Sequence, residues 1–341
     1  MSLMLLNVIY LGNFDPPHST ENHIATALEA NGHTVLRVQE NVAGAFDEAA
    51  AYAPNFDLVL WTRTGWDWSN IYGALGEPYA FAAQDRLRRV ARACGVPVVG
   101  YHLDIWFGLN REHQLREPFF QSDIVITADG GHQAEFEALG IDHVWFPPGV
   151  SRPECELGMF RDEYHSKLAF VGSWQGHYHK EHQHRFELVA FLQKHYRKQC
   201  QFYPMPGQHA VRGADLRDLY ASVDVVVGDA CFCGSGLPRY VSDRLPETTG
   251  RAGFLLHPRI EGVTDGRPWG RGPTWTEDEH LICWSAGDWD ELGAKIEVCL
   301  SMSTEERRSL GLFARDHVIA HHTYEQRMAQ MVDLLSERNL L

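Results

Sequence analysis

Asp243-Arg244-Leu-Pro-Glu247 sets a base and an acid three residues apart, on a polar stretch that follows the apolar run Val223–Gly228. On the first turn of a helix the two can grip different parts of one ligand. The unpaired N–H groups of a helix start, together with the Arg244 guanidinium, suit a diphosphate, and the Glu247 carboxylate can accept hydrogen bonds from both hydroxyls of a ribose. The plainer alternatives are a helix-start acid that complements the dipole and a surface arginine. Arg239, five residues before Arg244, offers a second positive charge. Phe170-Val-Gly172-Ser173-Trp runs a strand into a turn where a missing side chain lets backbone N–H groups approach phosphate, and Tyr10-Leu-Gly12-Asn is the equivalent turn near the N-terminus.

A second group suits proton transfer. Val98-Val-Gly-Tyr-His102-Leu-Asp104 ends an apolar strand with residues i and i+2 on one face. His102 and Asp104 are therefore the expected catalytic pair, orienting an acceptor hydroxyl or taking its proton. A hydrogen-bonded pair that merely closes the strand is the competing reading. His18, opening the first helix, and Asp129, in Thr127-Ala-Asp129-Gly-Gly-His132, are assigned to the acceptor side. For Asp129 an N-cap beside turn glycines is the simpler account.

Other features invite chemistry and do not carry it. His177, His179, His182 and His184 lack the spacing of two ligands on one helical face, so solvated histidines rather than a metal site are expected. Cys231-Phe-Cys233 is too closely spaced for a zinc or redox pair. Arg86, Arg88, Arg89 and Arg92 read as a charged helix surface. No metal and no cofactor is expected.

Strands alternating with helices must hold these residues. Leu5–Leu11, Gly32–Val38, Leu58–Trp61, Val96–Tyr101, Asp123–Thr127 and His143–Phe146 read as strands. His18–Ala30, Pro78–Ala93 and Gly131–Leu139 read as helices between them. Near-continuous apolar strands separated by helices indicate a parallel sheet covered on both faces. Pro147-Pro-Gly-Val and some polar residues after it break the rhythm and read as a linker. It resumes with strands at Leu168–Gly172, Gln201–Tyr203, Val223–Gly228, Phe254–Leu256 and His280–Trp284. Helices are expected at Glu181–His195, Gly213–Ser222, Trp289–Leu300, Thr304–His322 and Tyr324–Ser336. The expected class is α/β, two Rossmann-like doubly wound domains facing a cleft. They span residues 1–150 and 165–322, with a helix at 323–341 that packs back on the first domain. In such sheets ligands bind at the carboxyl ends of the strands.

Composition bounds the function. The chain has 341 residues, 44% hydrophobic and 22% charged, as ordinary globular domains do. A net charge of −15 repels nucleic-acid backbones in bulk. No apolar run is long enough to span a membrane, and the N-terminal residues read as a strand rather than a signal peptide. Seven scattered cysteines fit a reducing compartment, so a cytoplasmic location is expected.

Leu219-Tyr-Ala-Ser-Val-Asp-Val-Val-Val-Gly, Asp243-Arg-Leu-Pro-Glu and Ala252-Gly-Phe-Leu-Leu together resemble the nucleotide-sugar region of GT-B glycosyltransferases. The terminal Ala314-Arg-Asp-His-Val-Ile-Ala-His-His-Thr-Tyr-Glu-Gln-Arg-Met is similar to the group-1-like branch related to spore maturation proteins. The resemblance implies a retaining, metal-independent hexosyltransferase using a UDP or GDP sugar. It puts the donor ribose on Glu247 and the phosphates near Gly172. It leaves the acceptor open among a sugar, a protein, a small molecule and a modified DNA base. This chain departs from the family at Arg239, where an acid that contacts the donor sugar is common, at Ala252, where glycine is usual, and at Pro246, where an aromatic is common. A sugar-nucleotide epimerase-like GT-B enzyme and a catalytically inactive GT-B binding protein are the alternatives. Neither domain carries a full Gly-x-Gly-x-x-Gly run, which argues against a dinucleotide oxidoreductase.

Overall fold

The computed structural model describes residues 4–63, 71, 76–102, 115–128, 130–131, 133–174, 183–230, 239–265 and 272–341. The chain divides into two compact units, residues 1–146 with 327–341, and residues 147–326.

Unit 1 is built from β1 (Asn7–Gly12), α1 (Thr20–Ala30), β2 (Thr34–Gln39), α2 (Ala45–Tyr52), β3 (Leu58–Thr62), α3 (Gly76–Ala93), β4 (Val98–His102), β5 (Ile124–Thr127), α4 (Gln133–Ala138) and β6 (His143–Trp145). Its six strands lie in the order β2-β1-β3-β4-β5-β6, with every pairing parallel. β3 and β4 are buried along their whole length, which is why they read as unbroken apolar runs rather than alternating ones. Ile9, Val59 and Trp61 of the sheet pack with Phe46 of α2, Leu87 of α3 and Phe119 into one core. The Ser19 side chain caps α1 by accepting from the Asn22 N–H at 3.1 Å. The helix therefore begins at Thr20, two residues after His18, where the sequence had suggested its start.

Unit 2 repeats the plan with β7 (Ser166–Val171), α5 (Gln183–Tyr196), β8 (Cys200–Tyr203), α6 (Gly213–Ser222), β9 (Val223–Val227), α7 (Arg244–Gly250), β10 (Leu255–Pro258), β11 (Ile282–Trp284), α8 (Trp289–Ser301) and α9 (Thr304–His321). Its five parallel strands lie in the order β11-β10-β9-β7-β8. Leu168, Phe170, Val225, Leu256 and Trp284 meet Leu188, Leu192, Leu292 and Ile296 in the core. Ser303 and Glu306 form a reciprocal capping box at the start of α9. The last helix, α10 (Tyr324–Glu337), passes from unit 2 into unit 1, where Arg338 pairs with Asp142 at 2.9 Å.

In both units the first strand is flanked by the second on one side and the third on the other. That reversal of winding direction, at β1/β3 and at β7/β9, opens a crevice at the carboxyl ends of the strands.

The segment after Val150 is not the polar linker that its composition suggested. It forms two short 3-10 turns at Arg152–Cys155 and Asp162–Tyr164. Asp218 of α6 fastens it, accepting from the Met159 N–H at 2.8 Å and the Arg161 Nε at 2.6 Å, while the Ser222 hydroxyl accepts from the Arg161 N–H. Its charges serve as attachment points rather than as solvated spacers.

Candidate functional site

The carboxyl edge of β7 and β9 gathers the strongest set of charged groups in unit 2. Gly172 follows β7 directly, and its N–H donates to the Tyr203 carbonyl at 2.9 Å. A Cβ at Gly172 would lie 2.5 Å from Nη2 and 2.6 Å from Nε of Arg244, so the missing side chain leaves space that the guanidinium occupies. Arg244 opens α7, and its Nε donates to the Val171 carbonyl at 2.6 Å. Nη1 lies 3.9 Å from the Asp229 carboxylate, and Nη2 has no partner among the described residues. The arginine is thus locked in orientation with one donor nitrogen left over.

Asp229, two residues past β9 and fully buried, receives a second guanidinium. Arg185 Nε of α5 bonds to its Oδ2 at 2.5 Å, and Arg185 Nη1 donates to the Ser173 carbonyl at 3.3 Å. Two arginines therefore share one carboxylate at this edge. His257 at the end of β10 contributes no further charge. Its Nδ1–H donates to the Pro258 carbonyl at 2.8 Å, and burial pushes its pKa down to about 4, which keeps the ring neutral.

Glu247, the fourth residue of α7, is half-buried, and its carboxylate has no hydrogen-bond or ion-pair partner among the described residues. α7 is pinned beneath it, since Trp275 Nε1 donates to Thr249 Oγ1 at 3.2 Å and Arg251 Nη1 to the Glu247 carbonyl at 3.0 Å. A fixed helix with a carboxylate left free of protein partners is suited to hold a diol.

The structure thus joins Gly172, Ser173 and Arg244, with Glu247 one turn along α7. Arg239 forms an ion pair with Glu261 at 3.1 Å. The second cation at this edge is Arg185, which the sequence hid among four histidines and which was missed, as was Asp229. An acid two residues past the apolar run Val225–Val227 was the available signal for Asp229. His184 is not a solvated histidine either: it stacks on Trp284 and Trp289 at 5.6 and 5.5 Å between ring centroids, and burial lowers its pKa.

The equivalent edge of unit 1 holds an acid where unit 2 holds an arginine. Gly12 ends β1, but a Cβ there would meet Glu21 Cγ at 2.7 Å, so the space admits an acid rather than a phosphate. Glu21 is 5% exposed, and burial raises its pKa to about 7, with the Glu40 carboxyl adding to the shift. His102 ends β4 as expected but is not presented to solvent. Only 4% exposed, it packs edge-on against Phe119 and stacks on Phe120, and burial lowers its pKa to about 3 with help from Arg63. A buried ring held neutral in this way is a weaker base than a solvated imidazole. His18 is exposed, ahead of the Ser19 cap. Asp104, Asp129, His132, His177, His179, His182, Cys231 and Cys233 lie outside the described residues.

Residues 160–333, more than half of the chain, match the glycosyl transferase-like family. The chain belongs to that family and is a transferase with the GT-B fold. Solved structures share the fold along nearly its whole length. An α-glucosyltransferase in complex with UDP-glucose and DNA containing an abasic site superposes with a TM-score of 0.68 at 9% identity, covering 98% of this chain and 100% of the other. A glycosyltransferase from Rickettsia africae gives 0.59 at 11% identity, covering 98% of each chain. Sucrose-phosphate synthase from Thermosynechococcus elongatus gives 0.57 at 11% identity, covering 97% of this chain and 98% of the other. No curated protein sequence matches the chain. No described helix is long and apolar enough to cross a membrane.

Proposed function

We propose that the protein transfers a sugar from a nucleoside-diphosphate donor of the UDP or GDP type, held by unit 2, to an acceptor held by unit 1. The observation that carries this reading is Arg244, fixed over Gly172 by the Val171 carbonyl and beside Asp229 and Arg185, with its Nη2 unpartnered among the described residues. A diphosphate oxygen is the natural occupant of that position, and Glu247 takes the ribose hydroxyls. As the glycosidic bond breaks, negative charge grows on the leaving diphosphate, and fixed guanidinium groups stabilise it without reorganising. In this reading the arginines supply the charge that a divalent cation supplies in other transferases, so the reaction needs no metal.

Retention of anomeric configuration follows from the resemblance to the group-1-like, spore-maturation-related branch. Among acceptors, a small hydroxyl-bearing molecule is favoured over duplex DNA, because a net charge of −15 works against a polyphosphate backbone. The test is calorimetry with UDP and GDP. One of the two binds, and Glu247→Ala weakens it about tenfold or more, roughly 1.4 kcal/mol. Unchanged affinity in that variant removes the assignment.

A further inference from the structure

A cavity of about 370 Å³ opens at the other edge of the unit 2 sheet, where β9 begins at Val223 and Phe254 leads into β10. Strands of this length put roughly 15 Å of sheet between it and the Gly172 edge, so it is separate from the site above. One wall is apolar, formed by Leu157, Phe160, Phe254 and Leu312. Leu157 and Phe160 stand 51% and 59% exposed at its rim, a grouping that marks binding surfaces more often than ordinary ones.

The facing wall carries Arg251, Arg307, Arg308 and Asp224. Arg251 is paired with Glu154. Arg307 pairs with Asp224 at 3.1 Å, but Lys167 claims the same carboxylate at 2.7 Å, so one acid serves two bases. Arg308 is exposed, with no acid or acceptor among the described residues. Two positive charges are left in surplus, against the sign of the whole chain. Arg251 is 1% exposed, and its buried Nε–H has no acceptor among the described residues.

We propose that this cavity binds a small amphipathic anion, with its flat apolar body against Phe160 and Phe254 and its oxyanion toward Arg251 and Arg308. The volume lies at the lower end for small-molecule sites, and an apolar lining with a few convergent polar groups is their usual make-up. Arg251 follows α7 directly and holds the Glu247 carbonyl at 3.0 Å. A ligand here therefore grips the far end of the helix that presents Arg244 and Glu247.

The probe is anilinonaphthalene sulfonate, an aromatic body with one anionic group, titrated into the full-length protein and read by fluorescence and calorimetry. One equivalent binds saturably. Arg308→Glu weakens binding about tenfold or more, while the neutral phenylnaphthylamine and inorganic phosphate each bind about tenfold more weakly than the probe. Leu312→Trp fills the cavity and abolishes binding; if that variant is not folded by circular dichroism, Phe160→Asp, at an exposed position, takes its place with the same expectation. Saturating UDP leaves the probe's affinity unchanged. Displacement by UDP, or binding that survives both Arg308→Glu and the cavity variant, overturns the proposal. Because Arg308 is exposed and has no partner among the described residues, loss of binding in Arg308→Glu is not a loss of folding.

Discussion

A Cβ on Gly172 would lie 2.5 Å from Nη2 of Arg244. The glycine is there for the arginine, and the arginine is held against the Val171 carbonyl by a 2.6 Å hydrogen bond. One prediction follows directly. At φ +156° a Cβ strains the backbone as well as pressing on the guanidinium, so Gly172→Ala lowers stability by about 1–3 kcal/mol in urea denaturation. The guanidinium does not keep its position, and affinity for UDP or GDP falls about tenfold, as calorimetry would show.

The Arg185–Asp229 pair is 7% and 0% exposed. Removing Arg185 takes a direct donor from a buried carboxylate but leaves Arg244 3.9 Å from it, so the loss is only part of the roughly 3–5 kcal/mol that a fully broken buried pair costs. Arg185→Met should lose about 1–3 kcal/mol in urea denaturation. The double variant Arg185→Met/Asp229→Leu should recover much of the loss, because it removes the carboxylate as well.

Glu21 makes stability depend on pH in an uncommon direction. Its folded-state pKa is raised to about 7 from 4.5, so the folded protein binds more protons than the unfolded chain between those values. The contribution is complete below about pH 4.5 and is lost as pH rises through 7, with a magnitude on the order of 3 kcal/mol. Glu21→Gln, which cannot ionise, should match the wild type in urea denaturation at pH 4.5 and exceed it by about 2–3 kcal/mol at pH 8. Equal stability at both pH values would show that the carboxyl is not held in its neutral form.

Ala252 lies in the left-handed region at φ 60°, just past α7. A residue with a Cβ pays about 1–2 kcal/mol there, and glycine returns part of that through unfolded-chain entropy. Ala252→Gly should therefore stabilise the protein by roughly 0.5–1 kcal/mol, read as a rise in the denaturation midpoint. The chain thus carries a small backbone strain at this position.

Most of the fold was legible because parallel strands buried on both faces leave unbroken apolar runs. β3, β4, β7 and β9 announced themselves in that way. α2, rich in alanine between two strands, was missed, because small residues carry little periodic contrast. At the site, the motif from Asp243 to Glu247 and the glycine at 172 were readable as chemistry, whereas the pairing that orients them was not. Asp229 and Arg185 are 44 residues apart and meet only through the sheet order. The surroundings of His102 were hidden for a related reason. Its position at a strand end was correct, but Phe119 and Phe120, which enclose it, come from a segment whose approach no local pattern foretold.

The two sheets share one winding plan, yet the glycine at the end of each first strand makes room for a different neighbour: an arginine at Gly172 and, at Gly12, a glutamate whose buried carboxyl is pushed up to about 7. Equal backbones thus carry unequal chemistry, and what sets the halves apart lies in side chains rather than in winding.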